Sequence, residues 1–200
     1  MEQKSDFAHL KTGQQGFDRR DEYLGKKQDL LAGRLSAGDH AAAAELVDIY
    51  YERIYLFLRR LGHSCQVSED LTQESFLQAW QHIDQLKDGK ALKSWLYRIA
   101  GNVSKSYWRR HHHRGMGSIE GIDVSDSSET EQDKMVYLEQ LEQVQNTVLK
   151  LPVKLRETVV LHYMEHLTIA EAAEAAGVRE GTFKSRLSRA LETLRKQIGS

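Results

Sequence analysis

The sequence TIAEAAEAAGVREGTFKSRL, residues 168–187, predicts two short helices joined by a tight turn. Thr168 and Glu171 have the spacing of a capping box, in which each side chain satisfies a free backbone amide of the first helical turn. Gly177 ends the first helix, because glycine adopts the left-handed conformation needed after a helix without steric cost. Only two residues separate Gly177 from the next helical pattern, so this stretch is a helix-turn-helix.

The second helix of this pair has two faces of opposite character. Its apolar residues recur at helical spacing and should pack on the first helix: Phe183, Leu187, Ala190, Leu191 and Leu194. The other face is basic and carries Lys184, Arg186, Arg189, Arg195 and Lys196. Arginine and lysine on one projecting helix suit DNA phosphates and guanine edges, although a merely solvated basic face would show the same pattern.

Composition limits the fold class and the setting. The chain has 200 residues, 40% of them apolar, with a single proline and few alternating apolar runs, which predicts an all-α protein of two small domains. Cys65 is the only cysteine and no cationic-then-apolar leader opens the chain, so we expect a reducing cytoplasm. No apolar run approaches the ~20 residues of a membrane helix.

The N-terminal part of the sequence predicts a helical domain over residues 27–114. Residues 1–26 show no sustained period and are expected to be a loose extension, after which Leu30 to Leu35 suggest a short helix. Asp39, Ser68 and Ser94 are predicted to cap three further helices. A loop over residues 84–93 separates the last two of these helices. The helix after Ser94 ends in a basic, aromatic run around Lys105 to Arg110, which suits phosphate contacts and base stacking.

The acidic stretch over residues 115–134 predicts a flexible linker, and a second domain is expected over residues 135–198. A helix is predicted from Val136 to Leu149, since proline disfavours a helix at the residue before it and Pro152 follows shortly after. A short helix through Leu155 and Tyr163 then leads into the helix-turn-helix.

Several patterns admit a less specific interpretation. Trp95 and Trp108, taken singly, are better explained as core residues than as base-stacking platforms. The stretch from His162 to His166 matches the H-x-x-E-H motif of zinc proteases, but no third ligand accompanies it. The run of histidines 111–113 is a poor metal site as well, because adjacent residues on a helix point in different directions. We therefore expect no metal, no cofactor and no catalysis.

Four stretches of the chain resemble the bacterial RNA polymerase sigma factors of the extracytoplasmic-function group, over about residues 27–198. Gly38-Asp39 with Leu46 and Tyr50 looks like the first helix of that family, and EDLTQESFLQAW, residues 69–80, looks like its core-polymerase-binding helix. LKSWLYRIAGN, residues 92–102, resembles the promoter-melting segment, and the chain from Leu151 to Leu187 resembles the promoter-reading domain.

The resemblance implies a role for individual residues. Contacts with core RNA polymerase would be made by Asp70, Gln73, Glu74 and Leu77. The minus-10 element and its melted strand would be held by the loop over residues 84–93 and by Arg98, Asn102, Lys105 and Arg109, with one base extruded from the stack. The minus-35 element would be read by Arg179, Thr182, Lys184, Ser185, Arg186, Ser188 and Arg189.

The family also implies partners and excludes a substrate. A sigma factor binds core RNA polymerase and promoter DNA, takes no small-molecule substrate, and is commonly held inactive by an anti-sigma factor that is often membrane-anchored. Two other interpretations are a stand-alone helix-turn-helix regulator and a histidine-metal hydrolase. Only the sigma factor accounts for both domains, because a regulator leaves residues 69–80 without a purpose.

Overall fold

The computed structural model describes residues 18–111, here called the first half, and residues 146–198, the second half. All regular structure within these two ranges is helical. The α-helices of the first half are α1 (Asp18–Ser36), α2 (His40–Arg60), α3 (Cys65–Gln81) and α4 (Leu92–His111). Those of the second half are α5 (Val153–Val159), α6 (Ile169–Ala176) and α7 (Glu180–Ile198). The predicted linker, most of the predicted helix before Leu149 and residues 1–17 lie outside the described ranges.

Helix α1 is longer than its sequence pattern predicts. It begins at Asp18, so residues 18–26, expected to be part of a loose extension, are helical instead. Leu31 and Leu35 near its C-terminal end are buried in the core. Once these residues are docked, each further residue adds one backbone hydrogen bond at little nucleation cost, which explains the extension toward the N-terminus.

Two predicted caps are wrong, and one is confirmed. Asp39 caps α2 by accepting a hydrogen bond from the amide of Ala41. Helix α3 is capped by Ser64 rather than Ser68, which is buried one turn inside the helix. Helix α4 begins at Leu92, before Ser94, whose buried hydroxyl donates to the carbonyl of Ala91 and to Glu174. In both places a serine of the helix interior was mistaken for a cap.

The segment between α3 and α4 contains more local structure than a simple loop. It forms two single 3₁₀ turns, Ile83–Gln85 and Gly89–Ala91, the second capped by the side chain of Asp88. Helix α1 packs on this segment so closely that a Cβ atom at Gly89 would lie 2.6 Å from the Cα atom of Asp29. The segment is therefore fixed between α1 and α4.

Residues at helical spacing on α2 and α4 form the core of the first half, as predicted. Ile54, Phe57 and Leu58 on α2 are fully buried, and so is Leu96 on α4. Phe57 meets Tyr97 edge to face, with 5.2 Å between ring centroids. Such an arrangement of two buried aromatic rings adds to the hydrophobic stabilisation of the pair.

The second half ends in the predicted helix-turn-helix. The capping box of α6 is formed by Thr168 and Glu171, and Gly177 ends the helix with a left-handed φ of 69°. Phe183 on α7 is fully buried in the apolar core. Between α5 and α6, residues Val160–Met164 widen into a π-helical turn, which leaves the predicted core residue Tyr163 exposed.

The two halves pack directly on one another, a contact that the sequence did not predict. Helix α4 of the first half lies against α6 of the second, and both halves contribute to one continuous apolar core. At Gly101, a Cβ atom would come within 3.0 Å of a carboxylate oxygen of Glu157 on α5. A glycine at this position thus leaves room for the carboxylate of Glu157 against α4.

Candidate nucleic-acid interface

The basic face of α7 projects from the second half as predicted. Most of the predicted minus-35 residues are exposed on it or on the turn that precedes it: Arg179, Thr182, Lys184, Ser185, Ser188 and Arg189. Lys184 lies 3.5 Å from Glu180 one turn earlier. Arg186 differs from the others, since it is half-buried and its charge reaches Glu157 on α5. A helix face with these groups presents several donors to a groove of DNA.

Helix α4 carries a second exposed polar stripe. Arg98, Asn102 and Arg109 point to solvent along one side of the helix. Lys105, predicted on the same stripe, instead reaches the second half and forms an ion pair of 2.8 Å with Glu157. The predicted minus-10 residues thus share one helix, but one of them is engaged by the other half of the chain.

Aromatic rings stack at the C-terminal end of α4. Trp108 lies on the ring of His63 at 4.9 Å, and Tyr107 lies on His111 at 4.0 Å. Trp108 and Trp95 are both partly buried, and Trp95 packs against the core. The interpretation of both tryptophans as packing residues is therefore favoured in this conformation.

His63 is a buried histidine held in its neutral form. Its Nε2 atom lies 2.7 Å from the hydroxyl of Ser104, and its ring is enclosed by Tyr107 and Trp108. Burial, and to a lesser extent the nearby positive charge of Arg156, lower its pKa to about 4. His63 is therefore a packing residue of the first half.

The predicted polymerase-binding residues occupy one face of α3. Asp70 and Gln73 are exposed, Glu74 is partly exposed, and Leu77 exposes 61% of its surface. Their positions fall at i, i+3, i+4 and i+7, so they share a side of the helix. This face of α3 therefore presents an apolar side chain together with two carboxylates and an amide.

Three charged residues of the second half are buried where the halves meet, and sequence reasoning missed all of them. Arg156 donates hydrogen bonds to the carbonyl oxygens of Leu61, Leu149 and Leu151, the first of which ends α2 of the other half. Glu157 and Glu165 each pair with a cation of the first half. The available signal was a set of charges within the otherwise apolar pattern of residues 155–161.

Glu165 collects several partners from the first half. Its carboxylate accepts hydrogen bonds from Arg60 at 2.6 Å and from the hydroxyl of Tyr97 at 2.5 Å, and its backbone carbonyl accepts one from Lys93 at 3.1 Å. Burial and the adjacent carboxylate raise the pKa of Tyr97, which keeps this phenol protonated as a donor.

Burial is also the main cause of the pKa shifts of the other two buried charges, Glu157 and Arg156. It raises the pKa of Glu157, partly offset by the positive charges of Lys105 and, more weakly, Arg186. It lowers the pKa of the Arg156 guanidinium, which nevertheless keeps three carbonyl partners. The contact between the halves therefore contains charges whose solvation has been replaced by specific partners.

The H-x-x-E-H motif is occupied by structural contacts. The Nδ1 atom of His162 lies 2.8 Å from the carbonyl oxygen of Leu167, and Glu165 is bound to Arg60 and Tyr97. Across residues 18–111 and 146–198, no three histidine, cysteine, aspartate or glutamate side chains come together as metal ligands. Nor does any helix within these ranges have the length and apolarity to span a bilayer.

Comparisons with known sequences support two regions of one family. Residues 46–114 match the family described as Sigma-70 region 2, and residues 141–194 match the family described as Sigma-70, region 4. The chain is 32% identical over 174 residues to the ECF RNA polymerase sigma factor SigW of Bacillus subtilis. That alignment covers 82% of this chain and 93% of SigW.

Solved structures with the same fold include two complexes. CnrH in complex with the cytosolic domain of CnrY has a TM-score of 0.65 and 22% identity, covering 86% of this chain and 97% of CnrH. Sigma factor RpoE in complex with the anti-sigma factor NepR from Bartonella quintana also has a TM-score of 0.65, with 23% identity, covering 78% of this chain and 96% of RpoE. At these identities the likeness establishes the fold.

Proposed function

The chain belongs to the extracytoplasmic-function group of sigma-70 factors, and from this premise we propose how its residues divide the work of promoter recognition. It binds core RNA polymerase and directs transcription initiation at specific promoters. The alternative, a stand-alone helix-turn-helix regulator, is not favoured because a sigma region 2 precedes the helix-turn-helix. Its family consists of initiation factors without enzymatic activity.

The exposed face of α3 is proposed to bind core polymerase. Leu77 would enter an apolar depression on the polymerase, with Asp70, Gln73 and Glu74 making polar contacts around it. The support for this proposal is that the four residues share one exposed face of α3, where the polar groups lie on the same side as the exposed Leu77. The domain bounds expected from the sequence, 27–114 and 135–198, are proposed as the units that carry the two activities.

Helix α4 is proposed to hold the melted minus-10 strand. Arg98, Lys105 and Arg109 would contact phosphates, while Asn102 and the segment over residues 84–93 would select an extruded base. Asn102 supports this assignment because its exposed amide has donors and an acceptor for a base edge. The close packing of α1 on Gly89 would keep this segment in place.

The exposed basic face of α7 is proposed to read the minus-35 element. Lys184, Ser185, Ser188 and Arg189 would lie in the major groove, with Arg179 and Thr182 near the start of the helix. Arg186, which is half-buried beside them, is proposed to reach the same groove. The observation that carries the proposal is the projection of this basic face from the helix-turn-helix.

We also propose that an anti-sigma factor holds the chain inactive. RpoE of Bartonella quintana, which shares this fold, was solved with an anti-sigma factor bound. The sequence does not identify the partner, and whether it is membrane-anchored is part of the proposal.

Reconstituted transcription tests the proposed function. Core polymerase with this protein should initiate at a subset of promoters in a genomic library, and Leu77→Asp should abolish initiation while leaving the helical content unchanged. Asn102→Ala should reduce permanganate reactivity at the start site more than it reduces closed-complex binding. Initiation at no promoter, together with tight binding of the free protein to duplex DNA, would support the regulator instead.

A further inference from the structure

Helix α1 is fixed to the core of the first half independently of the segment over residues 84–93. Leu31 and Leu35 on its inner face are buried, and Gln28 donates a hydrogen bond of 3.0 Å to the hydroxyl of Tyr50 on α2. Closely packed leucines and a hydrogen bond between helices hold one helix in a defined position on the next. Helix α1 is therefore a fixed support on which another segment can rest.

Gly89 is the point at which the segment over residues 84–93 rests on this support. A Cβ atom at Gly89 would lie 2.6 Å from the Cα atom of Asp29, 2.5 Å from the carboxylate of the same residue and 3.1 Å from the Cβ atom of Ala32. Gly89 is not among the glycines of the described ranges that have a positive φ, so other residues could adopt its backbone conformation. The closeness of α1, rather than the turn, requires a glycine here.

The rest of the segment is ordered around this contact. Ile83 and Leu86 precede it and pack against the apolar core. The carboxylate of Asp88 accepts a hydrogen bond of 3.0 Å from the amide of Lys90, which closes the turn that contains Gly89. The position of Gly89 on α1 therefore sets the position of the whole turn.

The side chains on either side of Gly89 carry the groups that a base would meet. Asp88 and Lys90 are exposed, and so are Gln85 and Lys87 earlier in the segment. Carboxylate, ammonium and amide groups are the acceptors and donors that read the edge of an extruded base. Such groups select a ligand only when they are held within about 0.5 Å of the required geometry.

We infer that α1 determines base selection at the minus-10 element, because Asp29 and Ala32 fix the position of Gly89 and of the segment around it. The inference rests on the proposed function of that segment, and it makes Asp29 and Ala32 positioning residues that act through Gly89. A side chain at Gly89 would displace the segment, since the Cα atom of Asp29 belongs to the backbone and cannot swing aside. The displacement is about 0.8 Å, from 2.6 Å to the 3.4 Å of an ordinary contact, which exceeds what base selection tolerates.

Base discrimination by the reconstituted holoenzyme tests the inference, with Gly89→Ala as the main variant. A promoter on which the wild type initiates is substituted one position at a time through its minus-10 and minus-35 elements, and initial rates of transcript formation are compared. The wild type should prefer one base at one minus-10 position. Gly89→Ala should reduce that preference about tenfold, because the displaced polar groups no longer fit this base better than the others. Preferences in the minus-35 element should stay unchanged.

Two further variants separate the contact with α1 from other effects of a substitution. Gly33→Ala is the matched control, because Gly33 lies on α1 as well but a Cβ atom there would meet no atom within 4 Å. It should keep the wild-type base preference. Ala32→Val reaches the same contact from α1 without changing the segment, and its stiff branched side chain should weaken the minus-10 preference as Gly89→Ala does. Thermal unfolding monitored by circular dichroism shows whether each variant is folded.

The outcomes that overturn the inference are distinct from those that overturn the proposed function. A wild-type minus-10 preference in folded Gly89→Ala, an equal loss at the minus-35 positions or a loss of preference in Gly33→Ala would each overturn the inference. If Gly89→Ala does not fold, the preference of Ala32→Val decides in the same way. A wild type that initiates without preferring any minus-10 base would contradict the role proposed for the segment, and the inference with it. Failure of the proposed function would appear as a wild type that initiates at no promoter.

Discussion

The interior of each half is almost wholly apolar, whereas the contact between the halves adds buried charges to its apolar packing. Leu58 and Leu96 in the first half, and Phe183 in the second, are fully buried side chains without polar atoms. Where the halves meet, Glu157 and Glu165 pair with Lys105 and Arg60. Apolar burial is insensitive to competing ions, whereas ion pairs can exchange partners with salt or a polyanion. The comparison indicates two apolar units whose contact combines apolar packing between α4 and α6 with ion pairs that another charged molecule can compete for.

The largest effect on stability is expected at Arg156, whose hydrogen bonds lie both within the second half and across the contact between the halves. Arg156→Ala leaves three buried carbonyl oxygens without a donor, two in the second half and Leu61 in the first. We expect a loss of about 3 kcal/mol or more in the free energy of unfolding. Urea titration followed by far-ultraviolet circular dichroism measures it.

The same titration separates the halves, because all three tryptophans of the chain, Trp80, Trp95 and Trp108, lie in the first half. Tryptophan fluorescence therefore reports on that half alone. In Arg156→Ala the dichroism transition should move to lower urea than the fluorescence transition, since the second half loses more. Coincident transitions with a small shift would mean that Arg156 does not anchor the contact.

The second effect is a loss of stability of the first half at low pH, which we expect to arise from the buried His63. Its folded-state pKa of about 4 lies below the usual histidine value of 6.5, so the unfolded chain takes up the proton first as the pH falls. Stability is therefore complete above pH 6.5 and is lost between 6.5 and about 4. At about 1.4 kcal/mol per pH unit, the loss is on the order of 3 kcal/mol.

Urea titrations at a series of pH values, followed by the fluorescence of Trp108 and its neighbours, measure this dependence. His63→Gln should be less stable at neutral pH but should lose less further stability on acidification, because the buried titrating group is gone. A wild-type pH profile that is flat over this interval would show that His63 is accessible to protons in the folded chain.

A smaller effect is expected within the helix-turn-helix, away from the contact. Thr168→Ala removes the side chain that caps α6 and should cost about 1 kcal/mol. Thr193→Ala is its matched control, because the Thr193 hydroxyl bonds the carbonyl of Arg189 inside α7 and caps nothing. Thermal unfolding monitored by circular dichroism should show a larger loss of stability for Thr168→Ala than for Thr193→Ala. Equal losses would contradict a stabilising role of the capping box.

Local patterns of the sequence predicted the elements that depend on neighbours close in the chain. The capping box of Thr168 and Glu171, the left-handed Gly177 and the buried stripe through Phe183 are all confirmed. These features involve residues within one or two helical turns, where spacing alone fixes which side chains meet. The all-α class followed from the same regularities, whereas the sigma family was indicated by the resemblance of stretches such as residues 69–80.

The contact between the halves could not be predicted in this way. Glu157 and Lys105 are separated by 52 positions, and Glu165 and Arg60 by 105. In a helical pattern, a glutamate that is buried by a distant partner has the same spacing as one that faces water. Ser68 and Ser94 were misassigned as caps for a similar reason, since burial by another helix is invisible in local spacing.

The central claim is that the closed chain opens when it acts as a sigma factor. The most direct test of this claim is energy transfer between two dyes, one on the exposed Cys65 and one on a cysteine introduced at the exposed Gln197. The labelled protein must retain transcription activity. Transfer should be efficient in the free protein and should fall when core polymerase and promoter DNA form the initiation complex. Unchanged transfer in a complex that produces transcript would contradict the account.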